Sequence, residues 1–160
     1  MATESVPDMV ERYRKLTAAG DPGLDGERLL SRIVRARDPL AVELLLTLYP
    51  TDAGWNGDER DEVVSALRNA PKKLFVPVFA RLAAKVCRDT PLLFDDLMGY
   101  AGVFCLKPFL AALPPLAAED RERMVQRVTA SHAEIWKDDP AIPPEVEERQ
   151  AALVAGLRGD

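Results

Sequence analysis

Two neighbouring carboxylates, Asp95 and Asp96, sit in the most apolar stretch of this 160-residue chain, Leu92-Leu93-Phe94-Asp95-Asp96-Leu97-Met98-Gly99-Tyr100. A carboxylate pressed into apolar surroundings loses hydration, so its pKa rises and it can act as a general acid or base. Asp95, Asp96 and Tyr100 therefore mark one candidate pocket, suited to a small helical enzyme or a ligand carrier. The same residues also fit a plainer arrangement, with one or both carboxylates facing solvent or binding a nearby arginine. Other catalytic chemistry is scarce. His132 is the only histidine, which leaves no histidine cluster for a metal, and its place after Thr129-Ala130-Ser131 suits a helix end. Gly20, Gly23 and Gly26 are spaced as a turn with no strand before them, so no phosphate-binding loop is expected. No catalytic residue, cofactor or metal site follows from these patterns.

A second group of residues has the chemistry of an interface. Asp52, Asp58, Glu59, Asp61 and Glu62 stand against Arg60 alone, a local charge of −4, beside Tyr49 and Trp55. Aromatics ringed by charge are typical of interface hot spots, and acidic patches steer basic partners. The alternative is a helix N-terminus whose acids complement the dipole, with Trp55 folded onto the core. Arg28, Arg32 and Arg35 follow one helix face, where pairing with Glu27 or nearby acids is the ordinary expectation. Trp136 reads as a tether for the last helix.

These residues need a scaffold, and the bulk numbers bound it. Lys plus Arg is 21 and Asp plus Glu 26, a net charge of −5, divided evenly along the chain. No basic stripe stands out, which argues against nucleic acid as the partner. Hydrophobic residues make up 48% and charged residues 29%, as in ordinary globular proteins, and one domain, 1–160, is expected. Cys87 and Cys105, both in apolar contexts, read as small buried hydrophobes of a reducing compartment. With no leader-like segment at 1–20 and no apolar run of membrane-spanning length, the expectation is a cytoplasmic protein without membrane contact.

Periodicity predicts an all-α fold of about eight or nine helices. An N-terminal helix fills Ser5 to Ala19, with Val6, Met9, Val10, Tyr13 and Leu16 on its apolar face. Helices follow over Gly26–Arg37, Asp38–Leu48 and Asp58–Ala70, with a loop at 51–58 between the last two. Lys72 to Arg88 continues as helix, with Pro77 marking a kink or a true start near Val76. Pro91–Tyr100 and Gly102–Leu113 form an almost wholly apolar pair. Ala117–Ser131 is amphipathic, 138–144 is a Pro-rich linker, and a C-terminal helix over 145–158 docks through Val146, Leu153 and Leu157. Alternating β-branched runs are missing, so no strand is expected.

An internal repeat organises these helices. Asp38-Pro39-Leu40-Ala41-Val42-Glu43-Leu44-Leu45 is echoed at Pro77 to Leu82 and Pro108 to Leu113. Leu29-Leu30-x-x-Ile33, Val63-Val64-x-x-Leu67, Leu93-Phe94-x-x-Leu97 and Met124-Val125-x-x-Val128 share a second pattern, starting 34, 30 and 31 residues apart. A recurrence of this length, one helical hairpin per unit, is the mark of stacked helical repeats. The two motifs together resemble HEAT-like repeats of the short bacterial form over residues 24–131. That resemblance implies stacked antiparallel hairpins, a solenoid or a compact bundle. It is similar also to small all-α immunity proteins that neutralise bacterial toxins. The resemblance then implies a non-enzymatic module whose Tyr49, Asp52, Trp55, Asp58, Glu59, Asp61 and Glu62 meet a protein partner, such as a basic toxin domain. A structural subunit of a larger assembly is the third expectation.

Overall fold

In the computed structural model, residues 3–20, 23–55, 57–131 and 144–159 are described. Among them the chain is all-α: α1 Val6–Ala18, α2 Gly23–Arg35, α3 Pro39–Leu46, α4 Gly57–Asn69, α5 Lys72–Asp89, α6 Pro91–Met98, α7 Leu106–Ala112, α8 Ala118–Ser131 and α9 Pro144–Arg158. No strand occurs among the described residues. The chain forms two compact units, Met1–Phe79 and Ala80–Asp160, with the division inside α5.

Local chemistry accounts for where helices start. Ser5 caps α1 by accepting from the Asp8 backbone N–H at 3.2 Å. Asp38 caps α3 by accepting from Leu40 N at 3.0 Å, and Pro39 takes the first helical position, where its missing N–H costs nothing. Arg37 just before this cap has a positive φ of 52°, the sharp reversal between α2 and α3.

In the first unit α1 packs on α2 and α3, and α2 packs on α4. Tyr13, Ile33, Leu45, Leu67, Phe75 and Phe79 are fully buried there, and the Phe75 and Phe79 rings stack at 5.5 Å. In the second unit α6 packs on α8, and α9 packs on both α7 and α8. Phe94, Leu97, Phe109 and Met124 lie at its centre, with Val146, Leu153 and Leu157 buried from α9. The repeat is visible in burial. All twelve residues of the recurring apolar triads, Leu29, Leu30, Ile33 and their counterparts in α4, α6 and α8, are buried.

Three local expectations are revised. Pro77 does not start a helix: it lies inside α5, which begins at Lys72, and its ring faces solvent. The hydrogen bond that proline forfeits is outweighed by the apolar face of Phe75, Val78 and Phe79 on either side. The expected pair Pro91–Tyr100 and Gly102–Leu113 is shorter, α6 ending at Met98 and α7 starting at Leu106, with a π-helical segment, Gly99–Phe104, between them. Its wider coil brings Gly102 against α9. A Cβ at Gly102 would lie 2.4 Å from Met98 Sδ and 2.8 Å from Leu153 Cδ2. The carbonyls of Val103 and Phe104 instead receive Arg149 Nη1 at 3.4 and 3.5 Å, which steadies backbone acceptors that the π geometry leaves without regular partners. Helix α2 starts at Gly23 and ends at Arg35, three residues earlier than expected at the start and two at the end. His132, Trp136 and the expected linker 138–144 as far as residue 143 lie outside the described residues, and Pro144 opens α9.

The core assignment has a direct test. Leu97 is fully buried and Leu92 is 44% exposed on the same helix. Leu97→Ala is expected to lower the unfolding free energy by about 2–5 kcal/mol, and Leu92→Ala to change it by no more than about 0.5 kcal/mol. Urea denaturation followed by circular dichroism measures both.

Candidate functional site

The acidic segment begins in a one-turn 3-10 helix, Asp52–Gly54. Tyr49 folds back across it, and Gly54 makes the approach feasible: a Cβ there would lie 2.8 Å from the Tyr49 ring. The Tyr49 ring meets Trp55 edge to face, with centroids 4.8 Å apart and planes at 78°. Trp55 is only 7% exposed, so the indole packs inward and its area stabilises the fold. Glu59 is likewise 4% exposed. Its Oε1 accepts the Tyr49 hydroxyl at 2.5 Å, and that hydroxyl sits 2.9 Å from Thr17 Oγ1. The Tyr49 hydroxyl has one proton, which goes to Glu59, so its oxygen can accept from Thr17 Oγ1, a hydroxyl that also lies 2.8 Å from the Arg14 carbonyl. The arrangement ties α1, the loop and α4 together.

Burial raises the Tyr49 pKa, reinforced by Glu59 and opposed by Thr17. Tyr13 lies beside this cluster, fully buried. Burial, then Glu59 and Glu62, push its phenol well above its ordinary value. Both tyrosines are held neutral. The Tyr13 hydroxyl and Trp55 Nε1 have no hydrogen-bond acceptor among the described residues, so this interior is polar but fixed by packing more than by pairing.

The acids that reach solvent are therefore Asp58 and Asp61, both exposed, with Asp52, Glu62 and Tyr49 half-buried. Asp61 and Glu62 lie on the wall of an open groove of ≈ 370 Å³ between α2 and α4, whose other lining residues are Glu27, Leu30, Ser31, Ser65, Ala66 and Asn69. Neither Glu27 nor Asp61 has an ion-pair partner among the described residues. The groove has an acidic rim and a floor of small and apolar residues, Leu30, Ser31, Ser65 and Ala66. Such a shape suits the aliphatic stem and charged head of a lysine or arginine side chain.

The second expected site is arranged differently. Asp95 accepts a two-pronged hydrogen bond from Arg127, Nε to Oδ1 at 3.1 Å and Nη2 to Oδ2. Burial raises the Asp95 pKa, with Arg127 pulling the other way and Asp96 adding to the rise. Asp96 and Tyr100 are half-buried on the same helix and its π-helical continuation. A carboxylate locked in a guanidinium fork is a strut between α6 and α8, and it must break that fork before it can move a proton.

Aligned on the repeat, the two sites occupy one place. Ser31 stands two residues after the first triad residue of α2, as Asp95 does in α6. Ala66 stands three after that of α4, as Arg127 does in α8. Where the second unit bridges its helix pair with Asp95 and Arg127, the first has two small residues and an open groove. Glu27 and Asp61 are also equivalent, each two residues before its triad. Glu27, Ser31, Ser65 and Asn69 were missed as site residues because each alone is an unremarkable surface side chain. Reading the polar positions of the repeat alongside the apolar ones is the signal that finds them. No protein-family model, curated protein or solved structure matches this chain.

Two measurements probe these arrangements. Tyr49→Phe removes the donor to a buried carboxylate and is expected to cost about 1–3 kcal/mol of stability, read by chemical denaturation. Burial raises the Cys87 thiol from 9.0 to about 11. Between those values the folded state holds a proton that the unfolded state has released, so stability falls as pH rises from about 9 to 11. Unfolding followed across that range should show the decline, and Cys87→Ala should flatten it below pH 10, before the tyrosines contribute.

Proposed function

We propose that this chain is a non-enzymatic protein-binding module, and that the α2–α4 groove receives a basic segment of a protein partner. The observation that carries the reading is the acidic rim of Glu27, Asp61 and Glu62 around a floor left open by Ser31, Ser65 and Ala66. Groove and rim recur from the same repeat positions on two helices, so the recess is a product of the architecture. In this reading Trp55 and Glu59 act from the interior. They hold the start of α4, and with it Asp58, Asp61 and Glu62, against α1 and Tyr49.

The packing of α2 on α3, with Asp38-Pro39 opening α3, and the burial of the recurring triads support a HEAT-like assignment of the repeat. The narrower form of the proposal is a toxin-neutralising immunity protein, in which the acidic groove engages a basic active site. It rests on analogy with small acidic all-α proteins. Pocket chemistry at Asp95 has less support, because its carboxylate is engaged by Arg127.

Affinity capture from the source cell tests the reading. The unaltered chain is expected to retain a partner with a basic surface, and Glu27→Lys/Asp61→Lys is expected to weaken that capture by about tenfold or more, since like charges now face each other. Both positions are exposed, so the variant should fold normally by circular dichroism. A partner held equally well by both proteins would contradict the groove as the binding surface.

A further inference from the structure

The neighbouring face of α2, which meets the acidic groove at Glu27 and Ser31, carries arginines. We infer that it is a second docking surface adjoining the first, one that takes an acidic, partly apolar peptide segment of a protein partner. Leu24, Arg28, Ser31, Arg32 and Arg35 fall within an arc of about 100° on α2 at 3.6 residues per turn. These five residues, with Glu27, line a shallow recess of ≈ 550 Å³. A second recess of ≈ 440 Å³ between α1 and α2 shares Arg28 and Arg32 and adds Arg12 and one acid, Asp25.

Spacing sets this flank apart. Arg12 and Arg32 both turn to Glu4, at 2.7 and 3.6 Å. Arg28 and Arg35 are exposed and have no ion-pair partner among the described residues, as is also true of Arg37 and Arg158, but Arg28 and Arg35 stand on one face of one helix. The two guanidiniums sit two helical turns apart, about 10 Å along the axis, a span that two carboxylates on a short acidic helix can match.

Leu24 decides the kind of partner. It is 66% exposed at the start of the same face, the most exposed large hydrophobic among the described residues. An isolated leucine offers nothing to a phosphate backbone but packs well against a leucine or phenylalanine of a peptide. A two-fold pairing of this flank with the same flank of a second copy is disfavoured, because it would bring the unpaired arginines together.

The test uses the full chain and a fluorescein-labelled peptide of Glu-Leu-Glu-Glu-Leu repeats, followed by fluorescence anisotropy. Binding is expected, weakened about tenfold by Arg28→Glu/Arg35→Glu and about threefold by Leu24→Ser, and unchanged by Asp61→Lys, which lines the acidic groove and not this recess. The last arm separates this surface from the acidic groove. Circular dichroism checks that each variant is folded. No binding of the peptide, equal binding by the double arginine variant, or equally tight binding of an oligothymidylate of matched charge would overturn the inference.

Discussion

Burial of one recurring triad, two adjacent apolar residues and a third after two more, holds the rest of the molecule in place. On a helix those three positions form a single patch, which an isolated hairpin leaves in water. Packing α2 on α4 in one unit and α6 on α8 in the other removes these patches from solvent. Each large side chain so buried stabilises the fold by about 1.5–3 kcal/mol, before the entropy of ordering is subtracted. Surface ion pairs such as Arg123–Glu119 and Lys85–Asp89 add little by comparison.

With the triads fixed, the residues between them are free to vary, and there the two units diverge. Asp95 and Arg127 convert the seam of α6 and α8 into a closed strut. Ser31 and Ala66 leave the seam of α2 and α4 open, and the flanking Glu27, Asp61 and Glu62 give it a sign. The recurring triads thus frame one bridged seam and one open seam, through two side-chain choices.

Much of the architecture could be read from the chain alone, because helix periodicity, Pro at a first turn and Asp at a cap act locally. Asp38, Pro39 and the docking trio Val146, Leu153 and Leu157 are examples. What was hidden depends on distant partners. The π-helical segment at Gly99–Phe104 meets α9 at Gly102 and takes Arg149 at its carbonyls, partners that lie far along the chain. The helical persistence of Pro77 depends on the apolar residues around it. The placement of Trp55 turned on Gly54 and Tyr49, which bring a loop aromatic inward. Glu59 was legible as an acid but not as an interior one, since Tyr49 and Thr17 come from separate elements.

The most direct measurement is to close the open seam as the sealed one is closed, by placing Ser31→Asp and Ala66→Arg together, and to follow melting temperature and partner capture in parallel. If Ser31 and Ala66 occupy the places of Asp95 and Arg127, the variant melts no lower than the parent and no longer retains the partner. A variant that unfolds would break the claimed equivalence of the two helix pairs, and one that folds and still captures the partner would remove the groove from the function.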